Sequence, residues 1–130
     1  MSQSTLTTKQ RRLDEGTLAK YTATITDEAE AAIALSAMTT LTLTLYDAET
    51  GTVINSRNDQ NVLNTNNVTV SSAGLLTWLI QPGDNAIVGT RRRAGQYEKH
   101  VALFEYTWSS GSKASKHELT LEIRQLDKVT

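Results

Sequence analysis

The feature that most constrains the fold is a strict alternation of leucine with threonine or tyrosine between residues 40 and 46. Leu41, Leu43 and Leu45 fall on one side of an extended chain, and Thr40, Thr42, Thr44 and Tyr46 fall on the other. This two-residue period is that of a β-strand with one buried and one exposed face, because successive side chains point to opposite faces. Threonine accounts for 20 of the 130 residues, and its β-branched side chain suits a pleated, half-exposed surface. The chain is therefore predicted to consist mainly of β-strands.

The same period recurs along the chain and predicts further strands. Around Trp78 apolar residues occupy both faces, which is typical of a central or doubly covered strand. Residues 27–37 contain the one helix-favouring stretch, and the alternative there is a turn followed by an extended connection. The predicted strands are residues 18–26, 39–46, 68–70, 75–80, 97–108 and 116–126, with a returning hairpin strand at 52–55.

Short strands separated by Gly, Asn, Asp and Ser loops are typical of an all-β sandwich or a small barrel. The last two strands are joined by residues 109–115, a link too short for a parallel crossover, so they must pair antiparallel. Trp78, Phe104, Tyr106 and Trp108 are the expected core anchors. Residues 1–17 are predicted to form an extended N-terminal arm that contacts its own domain little, and residues 18–130 a single β-sandwich domain.

Composition and charge exclude several classes of protein. The chain has no cysteine, which excludes disulfides, thiolate metal sites and thiol nucleophiles. A formal net charge of −1 argues against both a generally basic nucleic-acid binder and an acidic disordered chain. No apolar run approaches the roughly 18 residues of a membrane span, and the polar N-terminus lacks the apolar region of a secretion signal. Nucleic acid and membranes are therefore not expected as partners.

Residues able to carry out catalysis are present but lack the spacing of catalytic motifs. His100 and His117 fall near opposite ends of the predicted last hairpin, without metal-ligand spacing, and are interpreted as structural. Residues 47–51 lack the further ligands of a calcium loop and are interpreted as a hairpin turn. There is no Gly-x-Ser-x-Gly elbow, and Glu118 and Glu122 lie on the predicted solvent face of a strand rather than in a buried acid–base site. The sequence therefore predicts no enzyme, no catalytic residue, no metal and no cofactor.

Two clusters of basic residues are the candidate contacts with a partner. Arginine binds carboxylates and phosphates through paired hydrogen bonds, and three adjacent arginines exceed what solubility requires. The alternative interpretation is a solvated loop. No aromatic residue lies among these arginines, which argues against stacking on single-stranded nucleic acid. The candidate contact residues are Lys9, Arg11, Arg12, Arg91, Arg92 and Arg93.

Two motifs and a terminal turn connect the chain to a known family. A Tyr-Asp-x-x-Thr-Gly hairpin at residues 46–51 precedes a Gly-x-x-x-Trp strand at 74–78, and a later strand ends near the Ser-Gly turn at 110–111. Together with segments 41–47, 50–54 and 103–111, these features resemble small virion proteins of tailed bacteriophages. Their layout is similar to the N-terminal domain of phage baseplate upper proteins. The likeness spans about residues 18–129 and implies an immunoglobulin-like antiparallel β-sandwich.

The resemblance implies a non-enzymatic structural component of a tailed-phage virion that assembles through protein–protein contacts. The expected roles are capsid decoration or cement, a neck (head–tail connector) component, or a baseplate adaptor. A counterpart of the C-terminal receptor-attachment region of baseplate upper proteins is missing, which favours the head, neck or decoration roles. The expected partners are other virion proteins and copies of the chain itself, and the expected location is the virion, after synthesis in the host cytoplasm. The alternative function is a carbohydrate- or receptor-binding β-sandwich module.

The arginine cluster at residues 91–93 gives a first testable prediction. We expect replacement of all three arginines by alanine to weaken incorporation into particles without unfolding the domain, because exposed charges contribute only about 0–1 kcal/mol per pair within a monomer. Across an interface, truncating one partner of a desolvated pair costs about 2–5 kcal/mol. The measurement is incorporation of the variant at low and at high salt, with the fold checked by circular dichroism. Wild-type incorporation under both conditions would assign these residues to a solvated loop.

Overall fold

The computed structural model describes residues 6–27, 29–88, 96–109, 111 and 113–125. In this part of the chain, β-strands predominate and two short 3-10 turns occupy Leu35–Ala37 and Pro82–Asn85. The same residues include no helix long and apolar enough to span a membrane. The strands are β1 Leu6–Asp14, β2 Ala19–Thr24, β3 Met38–Asp47, β4 Gln60–Asn61, β5 Val68–Val70, β6 Leu75–Ile80, β7 Tyr97–Trp108 and β8 Lys113–Arg124.

The strands form two sheets with immunoglobulin-like topology. The larger sheet has the order β1-β8-β7-β3-β4, and the smaller has the order β2-β6-β5. The sequences β8-β7-β3-β4 and β2-β6-β5 correspond to the G-F-C-C′ and B-E-D strands of a variable-type immunoglobulin domain. The predicted all-β, immunoglobulin-like sandwich is therefore confirmed. One feature differs, because β1 runs parallel to β8 and makes the larger sheet mixed rather than wholly antiparallel.

The core lies between the two sheets and is formed by alternate residues of each strand. The leucines of the threonine–leucine alternation are completely buried in β3, as their period predicts. Trp78 of β6 meets Phe104 of β7 edge to face, with ring centroids 5.7 Å apart, so the two sheets share an aromatic contact at the centre. Tyr106 and Trp108 extend this aromatic group along β7. The predicted core aromatics are all buried: Trp78, Phe104, Tyr106 and Trp108.

Strand β6 only partly fits its prediction. It is the central strand of the smaller sheet, and its bounds are those predicted. Its outer face, however, is not covered, since Leu75 and Leu79 are 43% and 48% exposed. Within the described part of the chain, no second layer covers this face, and its leucines remain partly exposed to solvent.

Residues 27 and 29–37 adopt the turn and extended connection rather than the helix. The Asp27 carboxylate accepts hydrogen bonds from the amides of Ala29 and Ala31, which closes a local turn. The Ile33 amide then donates to the carbonyl of Ile25, and the Ile33 side chain is buried in the core. A helix here would remove Ile33 from that position, so tertiary burial outweighs the helix-favouring composition.

The predicted N-terminal arm contains a strand of the domain's own sheet. All nine residues of β1 are in register with β8, from Leu6 opposite Lys116 to Asp14 opposite Arg124. The expectation that this segment contacts its own domain little is therefore wrong for Leu6–Asp14. The sequence concealed the strand because an edge strand with polar residues shows no apolar alternation.

A buried ion pair holds the long loop after β3 against the core. Both residues are buried, with Arg57 2% and Asp84 0% exposed, and the Arg57 Nε donates to Asp84 Oδ1 at 2.6 Å. The Arg57 guanidinium also lies 5.9 Å from the centre of the Trp78 ring. The ion pair thus joins the loop between β3 and β4 and the turn after β6 to the aromatic centre of the core.

Truncation of Trp78 tests the packing between the sheets. We expect Trp78→Ala to lower the free energy of unfolding by about 3–5 kcal/mol, because it removes a fully buried aromatic ring and leaves a cavity. The measurement is equilibrium urea denaturation. Leu79→Ala on the exposed outer face of the same strand is the matched control, with a change within about 0.5 kcal/mol. Near-wild-type stability of Trp78→Ala would contradict a core shared by the two sheets.

Candidate functional site

Three ionisable side chains are buried together where β3 ends and β7 begins. Asp47 is the last residue of β3 and lies opposite His100 of β7 in the strand register. Glu98 precedes His100 by two residues, so both side chains point to the same, inner face of β7. Asp47, Glu98 and His100 are 1%, 1% and 0% exposed. One potential ligand atom from each lies within 4.8 Å of the others.

The hydrogen bonds of this cluster leave two buried atoms without a partner. His100 Nε2 lies 2.6 Å from Glu98 Oε1, which also accepts a hydrogen bond from the Val88 amide. Asp47 Oδ2 accepts hydrogen bonds from the amide and hydroxyl of Thr50. Among the residues that the structure describes, Asp47 Oδ1 and His100 Nδ1 have no hydrogen-bond partner. One carboxylate oxygen and one imidazole nitrogen of the cluster are therefore open to a further partner.

Local turn chemistry explains why Asp47 occupies this position. The Gly51 amide donates to the Asp47 carbonyl at 2.7 Å, and the Asp47 amide donates to the Thr52 carbonyl at 2.8 Å. Gly51 has a φ of 78°, which suits glycine at this reversal of the chain. The predicted hairpin turn at residues 47–51 is thus present. It fixes the Asp47 carboxylate at the end of β3, on the inner side.

The sequence pattern does not bring these three residues together. The two histidines suggest each other as possible partners, but His100 and His117 lie opposite Leu121 and Phe104 respectively. These positions are four residues apart along β7, which corresponds to about 13 Å, so the two histidines do not share a site. The sequence contains one indication of the cluster: Glu98 and His100 fall on the same alternating face as the predicted core residues of β7.

His117 instead belongs to a contact between the two sheets. Its Nε2 forms a hydrogen bond with the hydroxyl of Tyr21, which lies on β2 of the smaller sheet. Both residues are buried, and their rings are 5.7 Å apart at the centroids. The interpretation of His117 as a structural residue fits this geometry.

Of the six candidate contact residues, Arg12 is the one whose side chain is described. It lies exposed on β1, where its Nε donates to Glu122 Oε1 at 2.8 Å, and its guanidinium lies 5.2 Å from the Tyr97 ring centre. The hydrogen bond to Glu122, with its negative charge, raises the pKa of Arg12. For Lys9 and Arg11 the structure describes the backbone, within β1. Arg91, Arg92 and Arg93 lie outside the described residues.

A shallow groove of about 760 Å³ crosses the outer face of the larger sheet. Its floor is rich in hydroxyl groups from β3 and β7, and the Thr40 and Thr107 hydroxyls hydrogen-bond to each other at 2.7 Å. Lys116 Nζ lies 3.5 Å from Glu105 Oε2 at one side. The groove thus offers polar groups of both charges and several hydroxyls, but its one aromatic residue, Tyr106, is only 3% exposed.

Comparisons of this chain with models of known protein families, with curated proteins and with solved structures found no match.

Neutralising Glu98 tests the buried cluster. We expect Glu98→Gln to lower the free energy of unfolding by about 1.5–3 kcal/mol, because the carboxylate accepts buried hydrogen bonds and charged acceptors contribute more than neutral ones. Chemical denaturation measures the change. Glu105→Gln, on the outer face of the same strand, is the control, with an expected change within about 0.5 kcal/mol. Equal effects of the two substitutions would mean that the Glu98 charge has no structural role.

Proposed function

We propose that the chain is a non-enzymatic structural component of a tailed-phage virion that assembles by protein–protein contacts. The roles in question are capsid decoration or cement, a neck component or a baseplate adaptor. The observation that carries the proposal is strand β1, a basic edge strand nine residues long. Among the described residues, no strand pairs with its other edge.

The two ends of the larger sheet differ in what they offer to another chain. Strand β4 at one end has two residues, whereas β1 at the other end has nine. A long edge strand presents a row of peptide groups that a neighbouring chain can extend by strand addition. A short edge offers almost no such row. Assembly through strand pairing therefore favours the β1 end.

The charge of β1 favours an acidic partner. Lys9, Arg11 and Arg12 lie within this strand. Like charges on directly opposed strands are destabilising, which disfavours pairing of β1 with β1 of a second copy. An acidic edge on another virion protein, or another surface of the same chain, would complement it. Copies of the chain within a particle would then meet through different surfaces rather than through two β1 edges.

The burial of the Asp47–Glu98–His100 cluster supports a function without catalysis. Each of these side chains is at most 1% exposed, so the cluster offers no surface to a substrate. The exposed groove on the larger sheet is lined by hydroxyls, Asn58, Asp59 and the Lys116–Glu105 pair. Nothing in that arrangement positions a nucleophile against a general base.

The hydroxyl-rich groove is the observation that favours a second candidate, a carbohydrate- or receptor-binding module. Its threonines and the Lys116–Glu105 pair can exchange hydrogen bonds with sugar hydroxyls. Sugar-binding surfaces, however, usually include an exposed aromatic ring, and the ring in this groove is that of the buried Tyr106. A glycan array distinguishes the two candidates. Specific binding that is lost in a Glu105→Ala variant would favour the binding module.

A particle-incorporation experiment tests the structural role. We expect mass spectrometry of purified tailed-phage particles to detect the chain as a stoichiometric component. The variant Lys9→Ala/Arg11→Ala/Arg12→Ala should be incorporated less than the wild-type chain. The deficit should be largest at low salt, because at physiological ionic strength charges are already screened over about 8–10 Å and exposed charge contacts contribute less. The matched control removes three exposed lysines elsewhere, Lys20, Lys99 and Lys113.

Either of two results would contradict the proposal. The chain could be absent from particles, which would reject the virion role. Equal incorporation of the β1 variant and the lysine control would show that the basic edge strand is not the contact.

A further inference from the structure

The Asp47–Glu98–His100 cluster contains buried atoms without a partner, in contrast to the buried Arg57–Asp84 ion pair. All five N–H donors of Arg57 are used: Nε and one Nη2 hydrogen bond reach Asp84, and the remaining three reach Gln60, Asn66 and Asn67. Four buried side-chain polar atoms among the described residues lack a partner, and two of them are Asp47 Oδ1 and His100 Nδ1. A buried polar atom without a partner costs about 1–3 kcal/mol in general, so two in one cluster indicate a missing ligand.

The charge of Asp47 points to the same conclusion. Asp47 is 1% exposed, and its carboxylate accepts hydrogen bonds from the neutral amide and hydroxyl of Thr50. No ion pair of Asp47 is found among the described residues. A buried carboxylate without a cationic partner is strongly unfavourable unless a bound cation or a proton neutralises it.

The chemistry and spacing of the donors fit a metal ion. One imidazole nitrogen with two carboxylates suits a divalent ion such as Zn²⁺ or Mn²⁺ better than Ca²⁺ or Mg²⁺, which prefer ligand sets composed of oxygen alone. Zinc–ligand distances of about 2.0–2.2 Å limit two ligands of one ion to about 4.4 Å apart. The observed spread is within 4.8 Å, so a small adjustment of side chains is sufficient. An ion bound by both Glu98 and His100 takes the place of the hydrogen bond between them, and the Thr50 contacts already orient the Asp47 carboxylate, as partners of metal ligands do elsewhere.

We propose that Asp47, Glu98 and His100 form a binding site for one divalent transition-metal ion, which ties the end of β3 to the start of β7. The ion is structural: it completes the hydrogen-bonding and charge requirements of the cluster and stabilises this end of the larger sheet. The proposal does not depend on the virion role, since an immunoglobulin-like domain of any function could contain such a site.

The experiment uses the untagged full chain after removal of metals with a chelator. Calorimetric titration with Zn²⁺ should give one bound ion per chain, and saturating Zn²⁺ should raise the melting temperature, because a ligand that binds only the folded state stabilises it. Mn²⁺ should also bind at this site, whereas Ca²⁺ should bind much more weakly than Zn²⁺. Co²⁺ provides a spectroscopic signature, since its visible absorption reports an imidazole and carboxylate environment.

Two variants locate the ion. Asp47→Asn keeps an acceptor for Thr50 but removes the charge, and it should weaken Zn²⁺ affinity by at least about tenfold and abolish the rise in melting temperature. His117→Gln removes the other buried histidine and should retain one bound Zn²⁺ per chain. Circular dichroism of both metal-free variants confirms that they are folded. If Asp47→Asn does not fold, Glu98→Gln takes its place, and the Co²⁺ spectrum of the wild-type chain is compared with that of Glu98→Gln.

The proposal is overturned by any of three results. The first is no stoichiometric Zn²⁺ or Mn²⁺ binding by the folded wild-type chain at micromolar concentrations. The second is equal binding by wild type and Asp47→Asn, which would indicate adventitious binding at the surface. The third is loss of binding in His117→Gln alone, which would place the ion near the contact between the sheets.

Discussion

The arrangement of the two sheets depends on the buried ion pair between Arg57 and Asp84. Arg57 lies in the long loop that follows β3, and Asp84 lies in the 3-10 turn that follows β6, so the pair joins a connection of each sheet. Removing one partner of such a pair usually costs about 3–5 kcal/mol, because the remaining charge stays buried. Here the cost of burial is offset because Arg57 uses every donor, and Asp84 also accepts from Asn55 and from the Gln81 amide. The guanidinium then lies against Trp78, which extends the constraint to the core.

The sequence predicts the strands that carry regularly spaced apolar residues, and it fails for β1, whose residues are mostly polar. The bounds of β5, β6 and β7 are those expected from the period of two, and β3 differs by one residue at each end. Strand β1 was not predicted, since its pairing with β8 is set by hydrogen bonds between backbones that leave no trace in the polarity of its side chains. Residues 27–37 show the opposite case, in which a helix-favouring composition yields to the burial of Ile33.

The buried polar residues were the least accessible to sequence reasoning. Arg57 stands among Asn, Asp and Gln residues and has the sequence context of a solvated loop, yet it is 2% exposed. Asp47 is recognisable as the first residue of a turn, but its second role, facing Glu98 and His100, depends on the register between β3 and β7. Such contacts between residues about 50 positions apart follow from topology, which no local pattern encodes.

The parallel pairing of β1 with β8 has a consequence for the order in which the protein acquires its structure. Leu6 and Lys116 are opposite each other although 110 positions separate them, so β1 gains its partner only when the last strand has been synthesised. During translation β1 therefore has no partner strand until β8 has emerged. Its charged residues suit that interval, because they keep an unpaired strand from associating with other nascent chains. In the folded protein β1 is held by one neighbour, whereas β8 is held by two, so β1 can separate from the larger sheet without opening any other strand pair.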